Sequence, residues 1–287
     1  MKIPAVEKKH AVVTGCSSGI GAATATLLQQ NGWTVVPTAR KPEDLDRLRA
    51  QGFHPVHLDV AHDESIDHAT EEIRRQLGDR VAGVVNNAGF GQPGALEDLS
   101  RGALAHQFEV NVIGLQDFTN RFIPLMRDQG WGRIVNVSSV LGRVSLPFFG
   151  AYSASKFALE AMSDALRVEL AGSGIAVSII EPGPIATQFG DNAMETGKNA
   201  LKNAASPFSS AYEKYLGDTA RTPAARRLFE KEPVAVARTI LHALESRHPK
   251  RRYMITAPAY FGAFMRRAAP AWFVDFVMKR RMAGRYR

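Results

Sequence analysis

Residues 10–30 read HAVVTGCSSGIGAATATLLQQ, and this stretch decides the fold. His10 to Thr14 is a short run rich in β-branched residues. GCSSGIG follows as a turn, AATATLLQQ has a helical pattern, and Asn31-Gly32 is a good helix stop. A strand, a glycine turn and a helix in that order open a doubly wound sheet, and such a turn can receive a phosphate. Gly15 permits the tight turn, Gly19 a close backbone approach, and Gly21 the packing of helix against sheet. The spacing is G-x-x-x-G-x-G rather than G-x-G-x-x-G, and no G-K-[ST] follows, so this is no Walker A loop. By itself the stretch fits either dinucleotide binding or a purely structural turn.

The chain repeats the same alternation outward from there. WTVVPTAR (33–40) reads as the second strand, PEDLDRLRAQG as a helix and FHPVHLDV (53–60) as the third strand. SIDHATEEIRRQLGD is the next helix and VAGVVNNAG the fourth strand. This βαβαβαβ order predicts a parallel Rossmann-type sheet in a single α/β domain. Pro37 donates no ladder hydrogen bond, and a bulge would accommodate it. An acid about twenty residues past the glycine turn would bond a ribose 2′-hydroxyl, but residues 37–41 read PTARK. Arg40 suits a 2′-phosphate instead. Asp59 at the third strand's end can bond an adenine amino group or cap a helix.

Residues 138–156 read SSVLGRVSLPFFGAYSASK, between the apolar run RIVNV and the helical run KFALEAMSDALRVEL. Tyr152 and Lys156, four apart at a helix start, share one face. Ser139 ends the strand and can point to the same place. A phenol, an ammonium and a hydroxyl at the carboxyl edge of a sheet make a proton-transfer site. A free phenol, with a pKa near ~10, is a poor base at neutral pH, and a nearby cation lowers that value. Alone, the pair also fits a packed Tyr beside a surface Lys. Asn111, a polar residue in the helical run ALAHQFEVNVIGLQDFTNRFIPLM (103–126), either satisfies backbone groups or holds a water beside the lysine. Pro182-Gly183-Pro184 stops the strand GIAVSIIE, and Thr187 follows.

Composition narrows the class. The 287 residues are 45% hydrophobic and 22% charged, a globular balance with room for a large core. The one cysteine, Cys16, excludes an intrachain disulfide and gives no sign of a Cys-rich metal site. His54, His57, His62 and His68 lack metal-ligand spacing, so no metal is expected. No secretory apolar segment precedes the first strand and no apolar run of about twenty residues occurs, so a cytoplasmic protein is expected. The net charge of +8 is uneven: eleven Lys or Arg between Ser246 and Arg287 face one acid, Asp275. The rest is slightly acidic, which argues against a nucleic-acid partner.

Taken together these motifs resemble the short-chain dehydrogenase/reductase family. Its T-G-x-x-x-G-x-G is present as Thr14 to Gly21, its N-N-A-G as Asn86 to Gly89, and its P-G turn with a downstream Thr as Pro182, Gly183 and Thr187. The similarity spans about residues 8–258. CSSGIG and TAR are similar to the NADP-preferring branch of 17-beta-hydroxysteroid and retinol dehydrogenases. The resemblance implies catalysis by Asn111, Ser139, Tyr152 and Lys156, with NADP as cofactor and NADPH preferred over NADH. It implies cofactor contacts from Gly15, Ser17, Ser18, Gly19, Ile20, Gly21, Arg40, Asp59, Val60, Asn86, Ala88, Gly89, Tyr152, Lys156, Pro182, Gly183, Ile185 and Thr187. Ser139, Leu141, Arg143, Phe148, Phe149 and Tyr152 would meet an apolar ketone, aldehyde or secondary alcohol of steroid, retinoid or other lipid-like type. The alternative is a non-catalytic NADP-binding regulatory or membrane-surface protein on the same scaffold.

Residues 1–258 are therefore expected to form the catalytic domain, with 188–230 as a substrate lid. Residues 259–287 form a basic amphipathic C-terminal extension, expected to pack on the enzyme, join a partner subunit or touch an anionic membrane surface peripherally. The helix after Tyr152 carries two apolar stripes, Phe157, Ala161, Ala165 and Val168 on one side and Leu159, Met162, Leu166 and Leu170 on the other. Two such sides predict at least a dimer, the alternative being a monomer whose second stripe is covered by its own basic C-terminal segment. The family resemblance implies a homodimer or homotetramer.

Overall fold

The computed structural model describes residues 3–201, 206–212, 230–257, 259–260, 262, 264 and 269–282. Seven strands form its sheet: β1 (His10–Val13), β2 (Thr34–Ala39), β3 (Val56–His57), β4 (Gly83–Asn86), β5 (Gly132–Val137), β6 (Ile175–Glu181) and β7 (Arg252–Met254). All pairs are parallel, in the order β3-β2-β1-β4-β5-β6-β7. The order reverses between β1 and β4, and a doubly wound sheet opens a crevice at that point, beyond its carboxyl ends.

Helices cover both faces because the strands are apolar on both. They are α1 (Gly19–Gln30), α2 (Pro42–Ala50), α3 (Asp63–Leu77), α4 (Arg101–Phe108), α5 (Gly114–Asn120), α6 (Ile123–Gln129), α7 (Gly150–Glu169), α8 (Phe189–Leu201), α9 (Pro233–Glu245) and α10 (Ala271–Met282). Successive residues of β1 divide the core. Ala11 and Val13 join Leu28 of α1 and Ile240 of α9 on one face. Val12 joins Ile66 and Ile73 of α3, Phe118 of α5 and Leu166 of α7 on the other. Phe118 and Phe122 are fully buried, a contribution of about 2–3 kcal/mol each.

Three local expectations are corrected. The third strand shrinks from 53–60 to Val56–His57, because β3 is an edge strand whose register with β2 covers only two residues. The run 103–126 is not one helix but α4, a π-helical turn at Glu109–Ile113, α5 and α6. A Cβ on Gly114 would stand 1.6 Å from the Val60 oxygen, so the chain crosses the segment after β3 in close contact there. Pro124, which cannot donate to the preceding turn, opens α6. Pro37 lies in regular register opposite Val13, with no bulge. Thr34 N–H donates towards β1, to the Lys9 oxygen, so alternation turns position 37 towards β3, whose pairing begins only at Thr38.

Candidate active site

The glycine turn is shaped by close contacts. Gly15 and Gly19 have φ of +69° and +57°, the left-handed region that glycine enters freely. A Cβ on Gly15 would stand 2.8 Å from Ala88 Cα, and one on Gly21 would stand 2.2 Å from the Gly15 oxygen. Asn87 Nδ2 donates to the Thr14 and Gly15 oxygens at 3.0 and 2.9 Å. The Thr14 hydroxyl accepts from the backbone N–H groups of Asn87 and Ala88. Ser18 makes no side-chain cap on α1, and the first turn carries no acid. The positive end of α1 is thus left for an anion, as a dinucleotide pyrophosphate requires. A cavity of about 600 Å³ opens there, lined by Ser18, Gly19, Thr187, Asp191 and Glu232 among others.

At the far end of this crevice Arg40 Nη1 lies 3.7 Å from Asp59 Oδ2, with the Arg40 side chain 60% exposed. Asp59 Oδ1 also accepts from Ala61 N–H at 3.1 Å, the local capping role that competed with the adenine reading. Val60 is buried. The side chain of Asn86, an expected cofactor contact, turns inward instead. It donates to Thr119 Oγ1 at 2.7 Å and to Asn136 Oδ1 at 2.8 Å, and Asn136 donates on to Ser163. A buried amide needs such partners, so only the backbone of Asn86 remains to face the crevice.

Ser139 follows β5 in extended conformation and caps a short 3₁₀ turn at Val140–Gly142, accepting from Leu141 N–H at 3.1 Å. Val140 N–H donates to the Pro182 oxygen at 2.9 Å, which joins this turn to the end of β6. Tyr152, in the first turns of α7, is 6% exposed. Burial pushes its phenol up to about 12, and a hydrogen bond with Ser139 opposes that rise. Lys156, 4% exposed, donates from Nζ to the Val137 oxygen at 2.8 Å. Its Nζ stands 5.8 Å from the centroid of the Tyr152 ring. Burial pulls its ammonium down to about 8, partly offset by the charge of Glu160. Ser139, Tyr152 and Lys156 therefore meet.

Asn111 sits in the π-helical turn, a deformation often found at functional sites. Its amide is held on both sides of Phe90, accepting from Phe90 N–H at 3.0 Å and donating to the Phe90 oxygen at 2.9 Å. It also donates to Ser155 Oγ at 3.1 Å. The missing Cβ of Gly89 would stand 3.1 Å from Asn111 Oδ1 and 3.8 Å from Lys156 Nζ. A glycine here keeps open the space between them.

The expected substrate residues divide. Leu141 is half-buried beside Ser139. The ring of Phe149 lies 6.4 Å from that of Tyr152. Phe148 packs away, into a cluster with Phe208 and Tyr212 at 5.6 and 5.5 Å. Arg143 turns its guanidinium onto Glu181, at 2.9 Å. Sequence reasoning missed Phe189, the first residue of α8, whose ring lies 5.4 Å from Tyr152. It also missed Arg47, which donates to the Ser17 oxygen, and the buried acids Glu160 and Glu181. Only the apolar character of Phe189 beside Thr187 offered a signal. Among the described residues no metal-binding group of His, Cys, Asp and Glu occurs, and no helix is long and apolar enough to cross a membrane.

Comparison with known proteins finds relatives in both sequence and fold. The short chain dehydrogenase family profile matches residues 9–198. The Uncharacterized oxidoreductase YbbO of Escherichia coli K12 is 40% identical over 96% of this chain and 95% of its own. The 17-beta-hydroxysteroid dehydrogenase type 6 of Mus musculus is 36% identical over 95% of this chain and 88% of its own. A short chain dehydrogenase/reductase from Burkholderia phymatum, solved in complex with NAD, superposes with a TM-score of 0.75 at 29% identity, covering 90% of this chain and 92% of its own. One from Burkholderia cenocepacia, in complex with NADP, gives 0.73 at 25% identity, covering 96% and 99%.

Proposed function

The chain belongs to the short-chain dehydrogenase family of NAD(P)-dependent oxidoreductases, and we propose that it moves a hydride between NADP(H) and the carbonyl or alcohol carbon of an apolar, steroid-, retinoid- or other lipid-like substrate. The observation that carries this reading is the meeting of Ser139, Tyr152 and Lys156 beside an open helix terminus, under the aromatic rings of Phe149 and Phe189.

The glycine turn and α1 terminus fit a pyrophosphate, and Lys156 fits a nicotinamide ribose. Bound there, the cofactor supplies the hydride in reduction and accepts it in oxidation. Tyr152 donates its phenolic proton to the carbonyl oxygen during reduction and takes it back during oxidation. The Ser139 hydroxyl orients that oxygen and stabilises the charge growing on it. Lys156, with its pKa near 8, remains mostly an ammonium at neutral pH. Burial outweighs the lowering expected from a nearby cation and keeps Tyr152 a phenol, the form that gives up a proton in reduction. Asn111 holds a water in the space that Gly89 leaves towards Lys156, which completes a proton relay. Arg40, at the adenosine end, selects the 2′-phosphate of NADPH.

The same reading makes residues 1–258 the catalytic domain and 188–230 its lid. Residues 202–205 and 213–229 of that lid lie outside the described residues. Ser206 and Tyr212 both donate to Asp98, and Tyr212 accepts from Ala95 N–H. These bonds would dock the lid on the 94–98 loop. In the extension 259–287, α10 exposes Trp272 and Phe276 beside Lys279 and Arg280, which supports peripheral contact with an anionic membrane by a cytoplasmic protein. Arg266 and Arg267 lie outside the described residues.

The test is oxidation of NADPH against a panel of steroid ketones, retinoid aldehydes and long-chain aldehydes, with Tyr152→Phe as background. Failure of every substrate to exceed that background, with NADPH bound, overturns the reading.

A further inference from the structure

Behind Tyr152 and Lys156 lies a cluster of charge that the proposed chemistry does not use. Glu160 is one helical turn beyond Lys156 on α7 and two beyond Tyr152, so the three share a face. Its side chain is 7% exposed, and that of Glu181, at the end of β6, only 1%. Arg252 of β7 reaches Glu160 at 2.9 Å and Glu181 at 3.2 Å. Arg143, just past the Ser139 turn, lies 2.9 Å from Glu181 and 3.9 Å from Glu160. Asp164, a further turn along α7, holds Arg252 through both carboxylate oxygens, at 2.9 and 2.7 Å. Gly142 presses the Ser139 turn onto the same place. A Cβ there would stand 2.9 Å from Ser138 Oγ, 3.0 Å from Glu160 Cγ and 3.2 Å from the Lys156 oxygen.

We propose that Glu160 is a positioning residue, which with Glu181, Arg143 and Arg252 locks the Ser139 turn to α7 and sets the charge of Lys156. The inference rests on the proton-transfer role proposed for Tyr152 and Lys156. A stability role alone is a weak reason for burying two carboxylates together, because desolvation offsets much of their attraction to the arginines. The placement links four segments around the Ser139 turn: the turn after β5 through Arg143, α7 through Glu160, the end of β6 before Pro182 through Glu181, and β7 through Arg252. Burial and the neighbouring Glu181 raise the Glu160 carboxyl to about 7, against a hydrogen bond with Ser138 and the opposing pull of Arg252 and Arg143. Glu160 then changes charge near neutrality, and its anion favours the Lys156 cation.

NMR titration of the full chain, carbon-13 labelled at lysine ε-carbons and glutamate carboxyls, tests this. Lys156→Arg assigns the lysine signal and Glu160→Gln the carboxyl. In the wild type, the Lys156 curve is expected to show a second inflection at the Glu160 midpoint. In Glu160→Gln that inflection disappears and the Lys156 midpoint falls by about half a pH unit or more. A wild-type curve without the inflection overturns the proposal, as does an unmoved midpoint in folded Glu160→Gln. Should that variant not fold, the wild-type curve decides alone. A melting temperature that drops while Lys156 titrates unchanged marks a merely structural acid and also overturns it. Coupling that is present in a chain unable to oxidise NADPH with any carbonyl sinks the proposed function alone. Coupling absent from an active chain sinks this inference alone.

Discussion

The rings of Tyr152 and Phe189 lie 5.4 Å apart with their planes tilted by 52°, so the phenol proposed to move the proton is roofed by the first residue of α8. Phe189 N–H also reaches Thr187 Oγ1, at 3.4 Å. The residue expected to touch cofactor is thereby two positions from the one that covers the reacting group. An apolar substrate entering beneath α8 would exchange its contact with water for contact with this ring. Phe189→Ala should then raise KM for apolar carbonyls by roughly tenfold, the worth of about 1.4 kcal/mol of lost apolar contact. The Kd for NADPH should stay within about twofold. Steady-state kinetics with an unchanged KM would remove Phe189 from the substrate wall.

Tyr152→Phe deletes one hydroxyl and keeps the buried ring. Turnover should fall by roughly two orders of magnitude or more, the usual loss when a general acid is removed. Fold and NADPH binding should persist. A variant that reduces a substrate at the wild-type rate would dismiss Tyr152 as the proton donor.

Lys156 ties stability to pH with a definite sign. Folding lowers its pKa from 10.5 to about 8 because burial penalises the cation. Below pH 8 both states are protonated and the folded chain bears the whole cost, on the order of 3 kcal/mol. Between about 8 and 10.5 the unfolded chain binds the extra proton, so stability rises with pH through that window. Lys156→Met escapes this cost but leaves the Val137 oxygen without its partner, a loss of about 1–2 kcal/mol. Urea denaturation should find the variant about 1–2 kcal/mol more stable than wild type at pH 7, with turnover abolished. The order should reverse by about pH 10.5, where the lost Val137 bond outweighs what remains of the burial cost. A pH-independent difference would show that Lys156 is not buried as a cation.

Arg40 has a 60% exposed side chain, 3.7 Å from Asp59, so the hold on a 2′-phosphate proposed for it would be partly screened. NADPH should bind more tightly than NADH by about 1.5 kcal/mol, roughly tenfold. Arg40→Ala should erase most of the difference, and raised salt should narrow it. Titration calorimetry giving equal Kd values for the two reduced cofactors in the wild type would rule out the selective role.

What was legible in the sequence follows from what is local. The β-branched runs and the positions of Gly15, Gly19 and Gly21 specify strand, turn and helix within twenty residues, so the parallel doubly wound sheet could be anticipated. Tyr152 and Lys156 were legible because helical spacing fixes their relative placement. The direction of Arg143 was not, because it depends on Glu181, 38 residues away and on another strand. The inward turn of the Asn86 side chain was hidden for the same reason, its partners being Thr119 and Asn136. The π-helical turn around Asn111 was hidden too. Its 3.6-residue pattern continues on either side, and only the packing of Gly114 on Val60 and the bonds to Phe90 reveal it.

The two stripes of α7 separate in the structure, and a prediction of assembly follows. Leu159, Leu166 and Leu170 are buried against the sheet. Ala161 and Ala165 are exposed, Phe157 is half-buried, and Val168 is 65% exposed. The outward side is thus small and apolar, with two alanines one turn apart that let another helix approach closely. Self-complementary burial across a two-fold axis would cover Val168 in both copies at once. The competing cover is the chain's own basic extension, part of which lies outside the described residues. Its Gly262 lies over Val140 and Val144, where a Cβ would be 3.2 Å and 3.5 Å from their side chains. We therefore expect at least a dimer at micromolar concentration. Ala165→Arg should place a long cation at the centre of the contact and weaken association at least tenfold, a cost of about 1.4 kcal/mol or more, while the Kd for NADPH changes little. Sedimentation equilibrium decides it: a single species at the 31.3 kDa chain mass, independent of concentration, would sink the dimer and favour a monomer whose outward stripe is covered by its own extension.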